Sequence, residues 1–172
     1  MDVTAPLPRC FEFRPLRRGE RGAVREVFAG LGERSRRLRF GGPKPSLPDP
    51  ELRWLADVDG TRHAAVLAVD CEGAAVGIAR FVRIDGAPPS AEIAFAVVDE
   101  WQGRGVGTRL LAALVDHARL AGIERFVATV HAGNQASLRL LRHAGPVVSS
   151  TVRDGDYELV VGLGRSHVEP AA

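Results

Sequence analysis

The hydrophobic positions change their period several times along the chain, and each change marks an element. Phe11, Phe13 and Leu16 alternate with Glu12 and Arg14, which predicts a short strand. From Gly19 onward Val24, Val27, Phe28 and Leu31 recur at helical spacing, with Gly30 and Gly32 weakening the end of that helix. A second short helix is predicted from Ser35 to Phe40. The stretch 41–50, GGPKPSLPDP, is a loop, because its glycines and prolines disfavour both regular structures. Asp49 followed by Pro50 reads as an N-cap with proline at the first helical position. The helix it opens carries Leu52, Trp54 and Leu55 and ends near 57–60.

Beyond His63 the pattern turns β-rich. Runs at 63–69, 75–84 and 92–98, joined by a turn at Glu72–Gly73 and a loop at 85–90, predict an antiparallel meander. An amphipathic helix follows through Leu110, Leu111, Leu114, Val115 and Ala118, closed by Ala121–Gly122. A buried strand at 126–130, a helix capped by Asn134, and a hairpin across Asp154–Gly155 complete the pattern. The expected fold class is α/β: one domain with a mixed sheet, antiparallel N-terminal strands and a right-handed βαβ crossover from Glu92 to Val130. The domain is expected to span 11–164, with flexible termini at 1–10 and 165–172.

Composition narrows the class of partner. The chain has 172 residues, 45% hydrophobic and 26% charged, which suits a globular core. A net charge of +2 gives no electrostatic case for nucleic acid. Lys44 is the only lysine, the other basic side chains at neutral pH being arginines. No run approaches the length of a membrane span, and the first residues hold no apolar signal segment. The expected location is cytoplasmic, as a monomer or homodimer. Cys10 and Cys71 form no CxxC pair, so two buried free thiols are expected, with one disulfide as the alternative.

The candidate chemistry begins at Gln102-Gly103-Arg104-Gly105-Val106-Gly107-Thr108, between a strand and a helix. Successive N–H groups in such a turn make an anion-binding nest, and the helix dipole adds positive potential. A tight turn without a ligand is the plainer reading. A P-loop would need a lysine after the last glycine. A dinucleotide fingerprint would need glycine where Thr108 or Leu110 stands, so both fail. Glu92 opens a strand otherwise written in Ile93, Ala94, Phe95, Ala96, Val97 and Val98. It is either a solvated edge residue or a carboxylate held in a cleft. The backbone N–H of Val97 or Val98 is placed to polarise a carbonyl. Asp99 and Glu100 are expected to face solvent. His117 and His143 read as surface or core residues, while His131 follows the strand that should flank the site. No HExxH, GxSxG or metal-ligand spacing occurs in the sequence, and no metal is expected. Arg34, Arg36, Arg37 and Arg39 form either a solvated helix face or an attractor for an acidic protein surface. The segment 34–54 is expected to shape the acceptor side.

The pattern Q-x-x-G-x-G at Gln102, Gly105 and Gly107, with Asn134-x-x-Ser137 after the next strand, resembles the GNAT superfamily of N-acyltransferases. The resemblance runs from about 11 to 163 and is strongest from 91 to 145. It implies acetyl-coenzyme A as co-substrate, with its pyrophosphate on the glycine turn from Gln102 to Thr108. Phe95, Ala96 and Val97 would lie along the thioester arm, with Asn134 and Ser137 assisting. A closer likeness is to the acetyltransferase domain of bacterial Pat-type protein lysine acetyltransferases. It is carried by 35–40 (SRRLRF), Val58-Asp59, Arg62-His63 and 91–95 (AEIAF). That likeness implies Glu92 as general base and a protein lysine as acceptor. A small amine acceptor and a non-catalytic acyl-coenzyme A module are the alternatives. Two positions depart from the superfamily. Leu141 stands where many members carry an acidic tyrosine, and Pro146 stands where an aromatic usually follows the closing glycine.

Overall fold

The structure, a computed structural model, describes residues 11–86 and 88–164. The elements follow in the order that the hydrophobic pattern predicts. They are β1 (Glu12–Pro15), α1 (Arg21–Ala29), α2 (Glu33–Phe40), α3 (Asp49–Ala56), β2 (His63–Val69), β3 (Ala75–Ile84) and β4 (Ser90–Val97). After a 3-10 turn at Asp99–Trp101 come α4 (Val106–Leu120), β5 (Arg125–His131), α5 (Gln135–Ala144), β6 (Val147–Arg153) and β7 (Asp156–Gly162). The termini expected to be flexible, 1–10 and 165–172, lie outside the described residues.

The strands form one seven-stranded mixed sheet in the order β1-β2-β3-β4-β5-β7-β6. Every pairing is antiparallel except β4 with β5. A parallel pair needs a crossover, and α4 supplies it. Helices cover both faces at the centre. Leu110, Leu114 and Leu141 of α4 and α5 pack with Phe81 and Phe126 on one face. Val24, Val27, Leu52 and Leu55 of α1 and α3 pack with Leu67 and Ile78 on the other. This is why β2 is a continuous apolar run, buried at all seven positions, rather than an alternating one.

Two local expectations shift. Helix α3 begins at Asp49 itself, with Pro48 in the cap position and no side-chain cap bond. Pro50 falls in the first turn, where its missing N–H costs nothing. Cys71 is no buried thiol: it is exposed in the turn after β2 and is disulfide-bonded. Cys10 lies outside the described residues.

Candidate active site

Strands β4 and β5 pair only where Ser90, Ala91 and Glu92 meet Arg125, Phe126 and Val127. Beyond that point β4 runs on to Val97 and β5 to His131 without pairing, so the sheet opens into a wedge. The Val98 N–H donates to the Val76 carbonyl at 2.9 Å, which turns the even-numbered backbone groups of β4 toward β3. The odd-numbered ones, Phe95 and Val97, therefore face the wedge. Of the two N–H groups placed by sequence near a carbonyl, Val98 is engaged and Val97 is available. Side chains alternate the other way about the sheet. Phe95 and Val97 pack toward α4, and Ala96 packs toward α1.

The glycine turn closes the wide end of the wedge. Gly103 and Gly105 hold φ of 71° and 82°, the left-handed region that side chains avoid. Gly105 is the N-cap of α4. Among the described residues, none of the N–H groups from Gly103 to Thr108 donates to a turn or loop carbonyl. They are the orphan donors of a helix start. Gly107 differs from the other two, because a Cβ there would stand 3.2 Å from Leu140 of α5. The Arg104 guanidinium lies over the Trp101 ring, 5.3 Å from its centre. The Gln102 amide donates to the Val97 carbonyl at 2.9 Å, Asp99 at 3.1 Å and Ser35 at 3.2 Å. Its nitrogen braces the turn from within. Asn134 accepts from the Ser137 N–H at 3.1 Å, capping α5 at the same end of the sheet. The structure thus brings together Phe95 to Val97, Gln102 to Thr108, Asn134 and Ser137 around one opening.

Glu92 is exposed, on the opposite face from α4. Ala94 and Ala96 continue its row along β4, opposite Arg80 and Ile78 of β3. Those four residues floor a groove roofed by Val27, Phe28, Leu31, Arg39, Phe40 and Leu47. Two arginines line it. Arg80 is 4% exposed and donates through Nη1 to the Leu55 carbonyl at 2.8 Å and to His63 Nε2 at 3.2 Å. A guanidinium only donates, so this histidine nitrogen accepts and the ring is neutral. Burial, and then the charge of Arg80, hold the His63 pKa below its ordinary value. Burial and the neighbouring Arg39 push the Arg80 pKa down to about 9. Arg39 is half-buried, its pKa lowered by desolvation and partly restored by the charges of Glu51 and Glu92.

Sequence reasoning missed both groove arginines as a pair. Arg80 had a readable signal, a charge inside the apolar run AVGIARFV. Arg39 was one of four arginines, and its neighbours do other work. Arg36 lies over Phe28 at 4.3 Å and bonds the Pro45 carbonyl at 3.2 Å, while exposed Arg37 pairs with Glu33 at 3.4 Å. The histidines outside the groove are engaged locally. His117 meets the Gly60 carbonyl at 2.8 Å, His143 the Arg139 carbonyl at 2.8 Å, and His131 accepts from Gly133 N–H at 3.0 Å. Asp99 is exposed as expected but also accepts from the Gly32 N–H at 3.2 Å. Asp59 organises the turn before β2 through the N–H groups of Thr61, Arg62 and His63, which lower its pKa to about 2.

A model of the acetyltransferase (GNAT) family matches residues 33–145. An acetyltransferase Pat of Mycolicibacterium smegmatis is 37% identical over 97 residues, covering 56% of this chain and 29% of that protein. An L-methionine sulfoximine/L-methionine sulfone acetyltransferase of Pseudomonas aeruginosa is 33% identical over 90 residues, covering 51% of this chain and 52% of that one. The matches span about half or less of these relatives' lengths. Among solved structures, the GNAT domain of S. lividans PAT superposes with a TM-score of 0.79 at 28% identity. It covers 88% of this chain and 89% of that chain.

Proposed function

Because the chain belongs to the acetyltransferase (GNAT) family of acyl-coenzyme A-dependent N-acetyltransferases, we propose that it acetylates a primary amine with Glu92 as general base. The observation that carries this reading is the wedge. An anion-binding turn stands at its wide end, a free backbone N–H on its edge, and a carboxylate at its narrow end on the face of the acceptor groove. Acetyl-coenzyme A lays its pyrophosphate on the N–H groups of Gly103 to Thr108 and its thioester along Phe95 to Val97.

An amine attacks only when neutral, and a lysine amine of pKa about 10.4 is protonated at pH 7. Glu92 takes the proton, directly or through one water. The N–C bond forms, the carbonyl oxygen gathers charge against the Val97 N–H, and the C–S bond breaks. Leu141 has a hydrocarbon side chain, so α5 offers no hydroxyl at the position of the superfamily's tyrosine. The coenzyme A thiolate leaves and is protonated by solvent.

Two observations bear on the acceptor. A protein lysine is the reading that the Pat likeness favours. The groove is narrow and flanked by arginines rather than carboxylates, which favours a small amine other than a polyamine. The deciding experiment is an acetyl-transfer screen over small amines and intact proteins, run with wild type and Glu92→Gln. Turnover by wild type and its loss in the variant support the proposal. Absence of turnover on every acceptor supports a binding module instead.

A further inference from the structure

The two arginines of the groove are in an unusual electrostatic position. Among the described residues, no carboxylate forms an ion pair with Arg39 or Arg80. The nearest acidic neighbours of Arg39 are Glu51 and Glu92, and Glu51 already pairs with Lys44. The Arg80 Nη1 is engaged by Leu55 and His63, but its other N–H groups donate to nothing among the described residues. Arg39 makes no hydrogen bond there either and lies over the Phe40 ring at 4.9 Å. Two like charges thus face one largely apolar groove, and Glu92 continues the row of Ala94 and Ala96 along its floor strand. Leaving a buried guanidinium unpaired is costly, and an anion in the groove would remove that cost. Guanidinium forks match a carboxylate with paired N–H donors.

Arg80 is held for such a task. His63 Nε2 and the Leu55 carbonyl fix Nη1 from behind. Trp54 stacks on His63, ring centres 5.0 Å apart, and fixes the imidazole in turn. His63 is therefore a positioning residue.

The groove also limits what accompanies the anion. It is narrow and open to solvent on one side. It takes a slender group, not a folded chain. Its remaining walls are apolar, from Val27, Phe28, Leu31, Leu47, Leu55 and Ile78. Arg80 lies opposite Ala94, and Glu92 is two residues further along the same face, about 7 Å at strand spacing. The anion holder and the proposed base are thus one short molecule apart.

We propose that this groove selects a small amino-carboxylate with an apolar side chain, of the α-amino acid class. Arg80 and Arg39 hold its carboxylate, and the groove walls take its side chain. This rests on the acetyl-transfer reading above and names its acceptor class. The groove arginines supply the counter-charge, and Glu92, further along the floor strand, receives the proton of the attacking amine. The lowered Arg80 pKa agrees with a guanidinium awaiting an anion.

The test compares acceptors that differ only in the anion: L-leucine, L-leucinamide and 3-methylbutylamine, beside a lysine peptide. Wild type is expected to favour leucine in kcat/KM by at least ~10²-fold, since a site built to bond a polar group rejects the analogue lacking it. Arg80→Met keeps the side-chain length and is expected to erase that preference, by lowering turnover of leucine while sparing 3-methylbutylamine. Arg39→Gln is expected to do so in part and guards against a folding failure of the first variant. Calorimetry should show acetyl-coenzyme A affinity unchanged in both. Equal turnover of leucine and 3-methylbutylamine, a preference for the lysine peptide, or an equal loss on all acceptors in Arg80→Met would overturn the proposal. Turnover on no amine overturns the acetyl-transfer reading instead. Titration of leucine onto the coenzyme A complex then still decides this one: binding that Arg80→Met abolishes supports it, and no binding sinks it.

Discussion

The two sides of the β4 strand work with different materials. Toward α4, the glycine turn and wedge present backbone: N–H groups from Gly103 to Thr108, the Val97 N–H, and the capped start of α5. Toward α1 and α3, the groove presents side chains: Arg39 and Arg80 among apolar walls, with Glu92 further along the same face of β4. A backbone site is built from conformation, so it needs glycines and caps at fixed spacing within one segment. A side-chain site is assembled from residues far apart in sequence, any of which can be exchanged while the fold stays the same. The first kind is written in the sequence as a motif, and the second is not.

The largest effect that would sharpen this contrast is at the base. Glu92→Gln should lower kcat by ~10²–10⁴-fold, with the acetyl-coenzyme A dissociation constant barely moved. Stopped turnover assays and calorimetry read the two quantities, and a wild-type kcat in the variant would remove Glu92 from its role. Next comes the backbone side. Gly105→Asp forces a left-handed residue and sets a carboxylate against the pyrophosphate. Acetyl-coenzyme A affinity should fall at least ~10-fold, and the left-handed residue should separately lower the folding stability by about 1–2 kcal/mol. An unchanged affinity in a folded variant would break the assignment of the turn.

A smaller effect tests the support behind Arg80. The His63 pKa is depressed in the folded protein, so the unfolded chain binds its proton more readily. Stability from this residue is complete above the ordinary value of 6.5 and is lost as the pH falls below it toward the folded value. The urea midpoint should drop between pH 7.5 and pH 5, and drop less in His63→Gln, which keeps an acceptor for Arg80. An identical pH dependence in both proteins would show that His63 is not the group responsible. The smallest effect is expected at Arg37→Ala. This exposed pair with Glu33 is worth under about 0.5 kcal/mol, and Arg37 does not line the groove. The acceptor KM should not change, and a clear rise would return the acceptor side to the outer face of α2.

The strands and helices were legible because their periods are long and their breaks are marked by Gly41–Gly42, Gly73, Gly122 and Gly145. The glycine turn was legible for the reason given above. Glu92 could be picked out as a lone carboxylate opening an apolar strand, but only the register of β3 with β4 shows that it shares a face with Arg80. Arg39 carried no sequence signal among four arginines. Its distinction is that the last turn of α2 brings it over β3 and β4, which is a tertiary fact. Gly30 and Gly32 were misjudged in kind. Gly30 caps the end of α1 and Gly32 the start of α2, and their smallness serves a contact. A Cβ on Gly30 would stand 2.6 Å from Val98, and one on Gly32 2.6 Å from Asp99.

That contact restricts how the enzyme's specificity can drift. The seam between the α1–α2 connection and the end of β4 has no room for added atoms. Asp99 and Gln102 lock it further through Gly32 and Ser35. Substitutions there would displace the glycine turn together with the groove roof, so both substrates would be lost at once. Phe28, Phe40 and Leu47 lie outside the seam and line the groove. New acceptors are therefore reached by exchanging those three side chains, one at a time, over a donor site that stays as it is.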